Sequence, residues 1–185
     1  MEIEQSGLPG LVLLKPRPIG DERGFFMEGY RRDVLERAGI RVDFVQDNHS
    51  RSEKAGVLRG LHFQTPGATQ AKYVWVTAGA VFDVAVDLRK DSPGFGLWRS
   101  FILSAENKRR LFVPRGFAHG YMTLEPGTEI QYKVDAYYSA GHDSGIFWRD
   151  PQLAINWPDL PPILSEKDQR LPLLRDFDSP FLTIL

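Results

Sequence analysis

The sequence reads as an all-β protein, a jelly roll in which two packed antiparallel sheets enclose a pocket. Apolar and polar residues alternate with a period of two in one short run after another. Turn chemistry separates the runs, at Thr77-Ala-Gly79, Ser92-Pro-Gly94, Ala105-Glu-Asn107, Pro114-Arg-Gly116 and Pro126-Gly127. Long helical patterns are missing between them, so strands do not alternate with helices as an α/β nucleotide-binding fold requires.

The longest helical candidate spans 30–38, where Val34, Leu35 and Ala38 share a face and Gly39 supplies a stop. Strand runs follow at 42–50, 57–64, 72–77, 98–103, 111–113 and 128–138. The clearest run is 80–89. Phe82, Val84, Val86 and Leu88 take one face and Val81, Asp83, Ala85, Asp87 and Arg89 the other, the mark of a half-buried strand. Residues 114–120 read as a tight turn leading into a strand. From Trp157 onward Pro158, Pro161, Pro162, Pro172 and Pro180 predict ordered coil over the sheets. One helical turn is expected near 165–169, where Ser165-Glu-Lys-Asp168 has the form of a capping box. The whole of 1–185 is expected to be one domain, with its core at about 20–170 and a C-terminal coil packed on it.

Composition narrows the function classes. Of 185 residues 42% are hydrophobic and 25% charged, a balance that excludes disorder. Lys plus Arg number 23 against 24 acidic residues, so there is no long-range positive field for non-specific nucleic-acid binding. An anionic ligand must be held by a few placed cations. The absence of cysteine removes disulfides, thiolate zinc sites, iron–sulfur clusters and cysteine nucleophiles together. The first ten residues carry no apolar run with a basic start, and no stretch reaches the roughly 18 apolar residues of a membrane helix. A cytoplasmic domain without membrane contact is expected.

Four histidines are available, His49, His62, His119 and His142, and no two form the His-x-His pair of jelly-roll metal sites, so no metal is expected. Strand parity sets Leu58, Gly60, His62 and Gln64 on one face and Val57, Arg59, Leu61 and Phe63 on the other. His62 is then either a base facing a ligand or a hydrogen-bonded structural histidine. For Arg59, either Gly60 makes a bulge or the arginine reaches another part of the ligand. Gln46, Asn48 and Ser50 share a face with Val42 and Phe44, as in a pocket wall that turns polar towards its mouth or in an exposed strand end. Residues 21–28 read as a charged turn entering a strand, and Lys72 as a strand-start lysine of the usual solvated kind. Tyr132 and Tyr138 fall on one strand face with Ile130, Val134 and Ala136, pointing inward. Asp168 reads as a helix-start residue.

Seven stretches together resemble the dTDP-4-dehydrorhamnose 3,5-epimerases of deoxysugar biosynthesis: DERGFFME at 21–28, FVQDNHS at 44–50, VLRGLHFQ at 57–64, VFDVAVDLR at 81–89, LSAEN at 103–107, PRGFAHG at 114–120 and LSEKD at 164–168. The resemblance implies a cupin-type jelly roll, a homodimer, and no metal or organic cofactor. It implies dTDP-4-dehydro-6-deoxyglucose as substrate, inverted at C3″ and C5″. By the same resemblance His62 is the proton-abstracting base, Asp168 the carboxylate that orients it, Tyr132 the proton donor on the opposite face and Lys72 the cation near the C4″ oxygen. Arg23, Glu28, Gln46, Asp47, Asn48, Arg59, His119 and Lys167 resemble nucleotide- or sugar-contacting residues, and Tyr138 the aromatic that stacks on thymine. Asp143 stands where the family usually has a glutamate contact. Two other readings compete: a single-carbon epimerase of a related deoxysugar nucleotide and a non-catalytic sugar-nucleotide-binding cupin. A metal-dependent oxygenase is a third and would require bound iron.

Overall fold

Residues 1–183 are described by a computed structural model. Among them the elements run β1 (Glu2–Gln5), β2 (Val12–Lys15), β3 (Ile19–Asp21), β4 (Gly24–Phe26), α1 (Arg32–Arg37), β5 (Gln46–Ser52), β6 (Leu58–Gln64) and β7 (Lys72–Ala78). They continue with β8 (Ala80–Asp87), β9 (Trp98–Ser104), β10 (Arg110–Val113), β11 (Phe117–Thr123), β12 (Thr128–Val134), β13 (Asp143–Gly145) and α2 (Glu166–Gln169). Six strands form one antiparallel sheet in the order β1-β2-β10-β7-β12-β5, and five form another in the order β13-β6-β11-β8-β9. The two face each other as a jelly roll, while β3 and β4 pair as a separate hairpin. No helix among the described residues is long and apolar enough to cross a membrane.

Three apolar clusters hold these layers. Between the sheets, Leu13, Val74, Val76, Leu111 and Ile130 of the larger sheet meet Val81, Ala85, Leu103 and Phe117 of the smaller. The outer face of the larger sheet (Val12, Leu14, Tyr73, Phe112) is covered by Leu35 of α1, Ile40 and Phe44. The outer face of the smaller sheet (Leu61, Phe63, Val84, Val86, Ala118) lies under the C-terminal tail through Leu153, Leu174 and Phe181. Polar anchors fix the tail: the Trp98 indole donates to Leu153 O at 2.8 Å, and Asp150 accepts from the Leu153 and Leu174 amides at 2.9 and 2.7 Å.

That coverage corrects the half-buried reading of 80–89. Strand β8 is buried on both faces, with Val81 and Ala85 against the other sheet and Val84 and Val86 under the tail. The helix is where periodicity places it, and Leu35 is its buried residue. Residues 42–45 are not strand. Val42 and Phe44 pack in the outer cluster, so Gln46, Asn48 and Ser50 do not continue their face. Strand β12 stops at Val134, which leaves Tyr138 outside it with 56% of its surface exposed, not pointing inward. Residues 21–28 do run from a charged turn into a strand, β4, which pairs with β3 in an exposed hairpin outside the two sheets.

The extra residue that the sequence allowed at Gly60 is present. Strand β6 pairs His62 with His119 and Arg59 with Tyr121, three steps against two, so β6 carries a bulge. Gly60 takes φ +120°, and a Cβ there would stand 2.6 Å from the Gly120 Cα. The bulge resets the alternation. Arg59 and His62 both line the inter-sheet cavity, while Leu61 and Phe63 face the tail.

The tail is therefore part of the core. Phe181→Ala, which removes a 4%-exposed ring set edge-on against Phe63, is expected to lower unfolding stability by about 3–5 kcal/mol in denaturant titration. Its neighbour Leu182 is 61% exposed, and Leu182→Ala is expected to change stability by less than about 0.5 kcal/mol.

Candidate active site

At one end of the space between the sheets the apolar packing gives way to polar side chains around a cavity of about 450 Å³. It adjoins a second hollow of about 360 Å³, and His62, Lys72, Tyr132 and Lys167 line both. A larger groove of about 720 Å³ lies on the outside, between the segment after α1 and the turn after β10. Its buried Arg89 is bound to Asp87, and its Arg115 to Asp135. None of the candidate residues reaches it.

The smaller sheet supplies His62 from β6 and His119 from β11, directly opposite each other in register. The His62 Nε2 lies 2.5 Å from Asp168 Oδ1, joining residues 106 positions apart. Asp168 is held in α2, where Ser165 caps the helix by accepting from the Asp168 amide at 3.1 Å. Burial pushes the Asp168 carboxyl up, but the hydrogen bond and charge of His62, the Ser165 hydroxyl and Lys167 together outweigh it and hold it below the usual value. An ionised carboxylate only accepts, so His62 donates from Nε2 to Asp168, and Nδ1 is the ring nitrogen outside that bond.

The larger sheet faces this pair with Tyr132 on β12 and Lys72 on β7, a diagonal cross-strand pair. Burial raises the Tyr132 phenol, Arg59 opposes this and Asp143 adds to it, so Tyr132 stays protonated and is equipped to donate. Burial pushes the Lys72 ammonium down to about 8; the charges of Asp83 and Asp143 oppose this, while Lys167 adds to it. A histidine bonded to a carboxylate therefore stands on one sheet and a protonated phenol on the other, with a lysine beside the phenol.

The mouth is built from amides. Gln46 and Asn48 point inward from β5, bonded to each other at 2.8 Å. Three glutamines hold the loop that carries Tyr138 at successive points. Gln70 donates to Ala136 O at 2.8 Å, Gln46 accepts from the Tyr138 amide at 3.1 Å, and Gln64 accepts from the Ser139 amide at 2.9 Å. The Tyr138 hydroxyl donates to Asp143 at 3.0 Å, and Lys167 contacts the same carboxylate oxygen.

Eleven of the candidate residues thus meet in one place: His62, Lys72, Tyr132, Asp168, Gln46, Asn48, Arg59, His119, Tyr138, Asp143 and Lys167. Three do not line this cavity. Asp47 points outward from β5 to Lys133 at 2.8 Å, as alternation along the strand requires. Arg23 pairs with Asp21 on the exposed hairpin, and Glu28 pairs with Arg31. Tyr121, Gln64 and Gln70 line the cavity without being candidates in the sequence reading. Tyr121 bonds Ser50 at 3.1 Å; it sits two positions beyond His119, so parity already placed it on the same face. Gln64 had been noted only as a polar neighbour of His62. Among the described residues no group of three or more His, Asp or Glu side chains gathers to hold a metal ion.

Lys72 is a cation below about pH 8 and neutral above it. Side-chain NMR titration is expected to give it a midpoint near pH 8, against roughly 10.4 for ordinary lysines. Asp143→Asn removes a negative neighbour and should move that midpoint lower still.

Comparison with known proteins agrees with this geometry. The sequence profile of dTDP-4-dehydrorhamnose 3,5-epimerase matches residues 5–176. The chain is 50% identical over 169 residues to the dTDP-4-dehydrorhamnose 3,5-epimerase of Shigella flexneri, covering 91% of this chain and 93% of that one. A crystal structure of the Bacillus anthracis enzyme of that name, with TDP and PPi bound, superposes with a TM-score of 0.91 at 55% identity, covering 94% of this chain and 99% of that one. The Legionella pneumophila dTDP-6-deoxy-D-glucose-3,5-epimerase, in complex with dTDP-4-keto-L-rhamnose, gives 0.91 at 47% identity, covering 96% and 94%. With the profile spanning nearly the whole chain and the relatives matching along their own length, this protein belongs to the dTDP-4-dehydrorhamnose 3,5-epimerase family.

Proposed function

We propose that the protein inverts C3″ and C5″ of dTDP-4-dehydro-6-deoxy-D-glucose to give dTDP-4-dehydro-L-rhamnose. One observation carries this reading: His62 with its carboxylate and Tyr132 with its proton project from opposite sheets into a single cavity that also holds Lys72. Both carbons flank the C4″ ketone. His62 Nδ1 takes the proton from one of them, and the C–H electron pair becomes the C=C bond of an enolate whose charge sits on the C4″ oxygen. Lys72 meets that charge as a cation already fixed in place, which needs no reorganisation when the charge develops. Tyr132 then gives its proton to the carbon from the other face, which inverts the centre. Solvent takes the His62 proton and restores that of Tyr132, and the cycle repeats at the second carbon.

Arg59 and Lys167 at the rim are the placed cations that a diphosphate needs in a chain of net charge −1, and exposed Tyr138 offers its ring to the base. In deuterated water the wild type is expected to introduce label at both C3″ and C5″, read by NMR or mass spectrometry. Label at one carbon alone would make it a single-carbon epimerase. His62→Ala and Tyr132→Phe should still bind dTDP and lose at least one epimerisation step by roughly 10²–10⁴-fold. Wild-type exchange in His62→Ala would instead leave a binding protein.

The working form in this reading is a homodimer. Ile19 and Phe26, directly opposite each other on the hairpin that bears Arg23, are 68% and 69% exposed, an apolar pair that a second copy would cover. Arg23 and Glu28, absent from their own cavity, would then serve the partner's. Light scattering should find a dimer, and Phe26→Asp should yield monomers with a raised KM. A wild-type monomer with full activity removes this part of the reading.

A further inference from the structure

Strand β8 carries two fully buried carboxylates on the face that looks into the sandwich, and the protein treats them differently. Asp87 is neutralised locally. The Arg89 Nε and Nη2 reach it at 2.8 and 2.6 Å, and Ser92 donates to it at 2.6 Å. Asp83 has no such arginine. Both its oxygens lie 2.9 Å from a single group, the Nε2 of His119. Its neighbours on the same face, Val81 and Ala85, are apolar core. An isolated carboxylate at such a position costs several kcal/mol, and an apolar side chain would stabilise the sandwich better. Stability of the fold therefore does not account for Asp83.

Its surroundings do. His119 is 7% exposed, lines the cavity, and stands opposite His62 in register. Because Asp83 only accepts, Nε2 of His119 carries a proton, the ring is pinned in one orientation, and Nδ1 is left uncommitted. From the other sheet Lys72 feels the same carboxylate, together with Asp143 and Lys167. We infer that Asp83 is a positioning residue of the reaction: from behind the cavity wall it holds the His119 ring in one orientation and supplies the fixed negative charge against which the Lys72 cation is set. This rests on the epimerase reading. During turnover negative charge appears on the C4″ oxygen, and a cation already in place needs no reorganisation at that moment.

Asp83→Asn keeps the volume and one acceptor but removes the charge. In this variant kcat for deuterium exchange should fall on the order of 10- to 100-fold, the effect usual where a carboxylate orients a metal-bound histidine. Affinity for dTDP should be unchanged. The alkaline limb of kcat/KM should move to lower pH, because Lys72 has lost one of the charges that keep it protonated. A variant whose exchange rate and alkaline limb match the wild type overturns the proposal, as does one that loses stability while its limb stays in place. Nitrogen NMR of the wild-type histidines needs no variant. The His119 ring should carry a proton on Nε2, and a ring protonated on Nδ1 alone overturns the proposal even if Asp83→Asn fails to fold. A wild type that exchanges no deuterium sinks the epimerase reading instead, and the NMR measurement still decides what Asp83 does to His119.

Discussion

One extra residue in β6 organises the site. Without it, strict alternation would turn Arg59 outward with Leu61 and Phe63, and the cavity would lose its rim cation. With it, Arg59 and His62 share the inner wall, and the apolar residues between and beyond them still reach the tail. The space for this comes from glycine on both strands. A Cβ on Gly60 would collide with the Gly120 Cα at 2.6 Å, and one on Gly120 would stand 2.8 Å from the Arg59 carbonyl. Close backbone contact at this point brings His62 and His119 side by side and leaves room behind them for the two carboxylates, Asp168 and Asp83, that hold their rings.

Polar groups can collect there because apolar packing is complete elsewhere. Both sheets are covered on their outer faces, by α1 and its flanks on one side and the tail on the other, so the stability of the sandwich does not depend on filling its polar end. Each large side chain under the tail contributes about 1.5–3 kcal/mol by leaving water. This apolar framework offsets the cost of buried charge around Lys72, Asp83 and Asp168.

Much of the framework was legible from local pattern. The alternating runs became strands within a few residues, Leu35 is the buried residue of the helix, and Ser165 caps a turn at 166–169. The failures share a cause. Period two in β8 reports which residues share a face but not whether a tail more than 60 positions away covers the other one. Val42 and Phe44 match the parity of Gln46, yet the chain enters β5 only at Gln46. Tyr138 continues the alternation of β12, but the ladder ends at Val134 and the chain beyond it is held by side chains, with Asp135 accepting from the Ala71 amide at 2.7 Å.

The site divides along the same line. Short motifs carry the resemblance to a family, and only that resemblance makes His62 a candidate base, Lys72 a cation and Tyr132 an acid; residue type and alternation alone leave His62 open and read Lys72 as solvated. Asp168 by itself looked like a helix-start residue. Its partnership with His62 exists only because α2 docks on β6 across 106 positions, and local preference does not encode such a contact. Asp83 reads in the alternation only as a residue on the face of β8 opposite Phe82, Val84, Val86 and Leu88, and its role depends on β11, which sets His119 diagonal to it. Long-range pairing is decided by sheet register and by the covering of both faces, which belong to the folded chain as a whole.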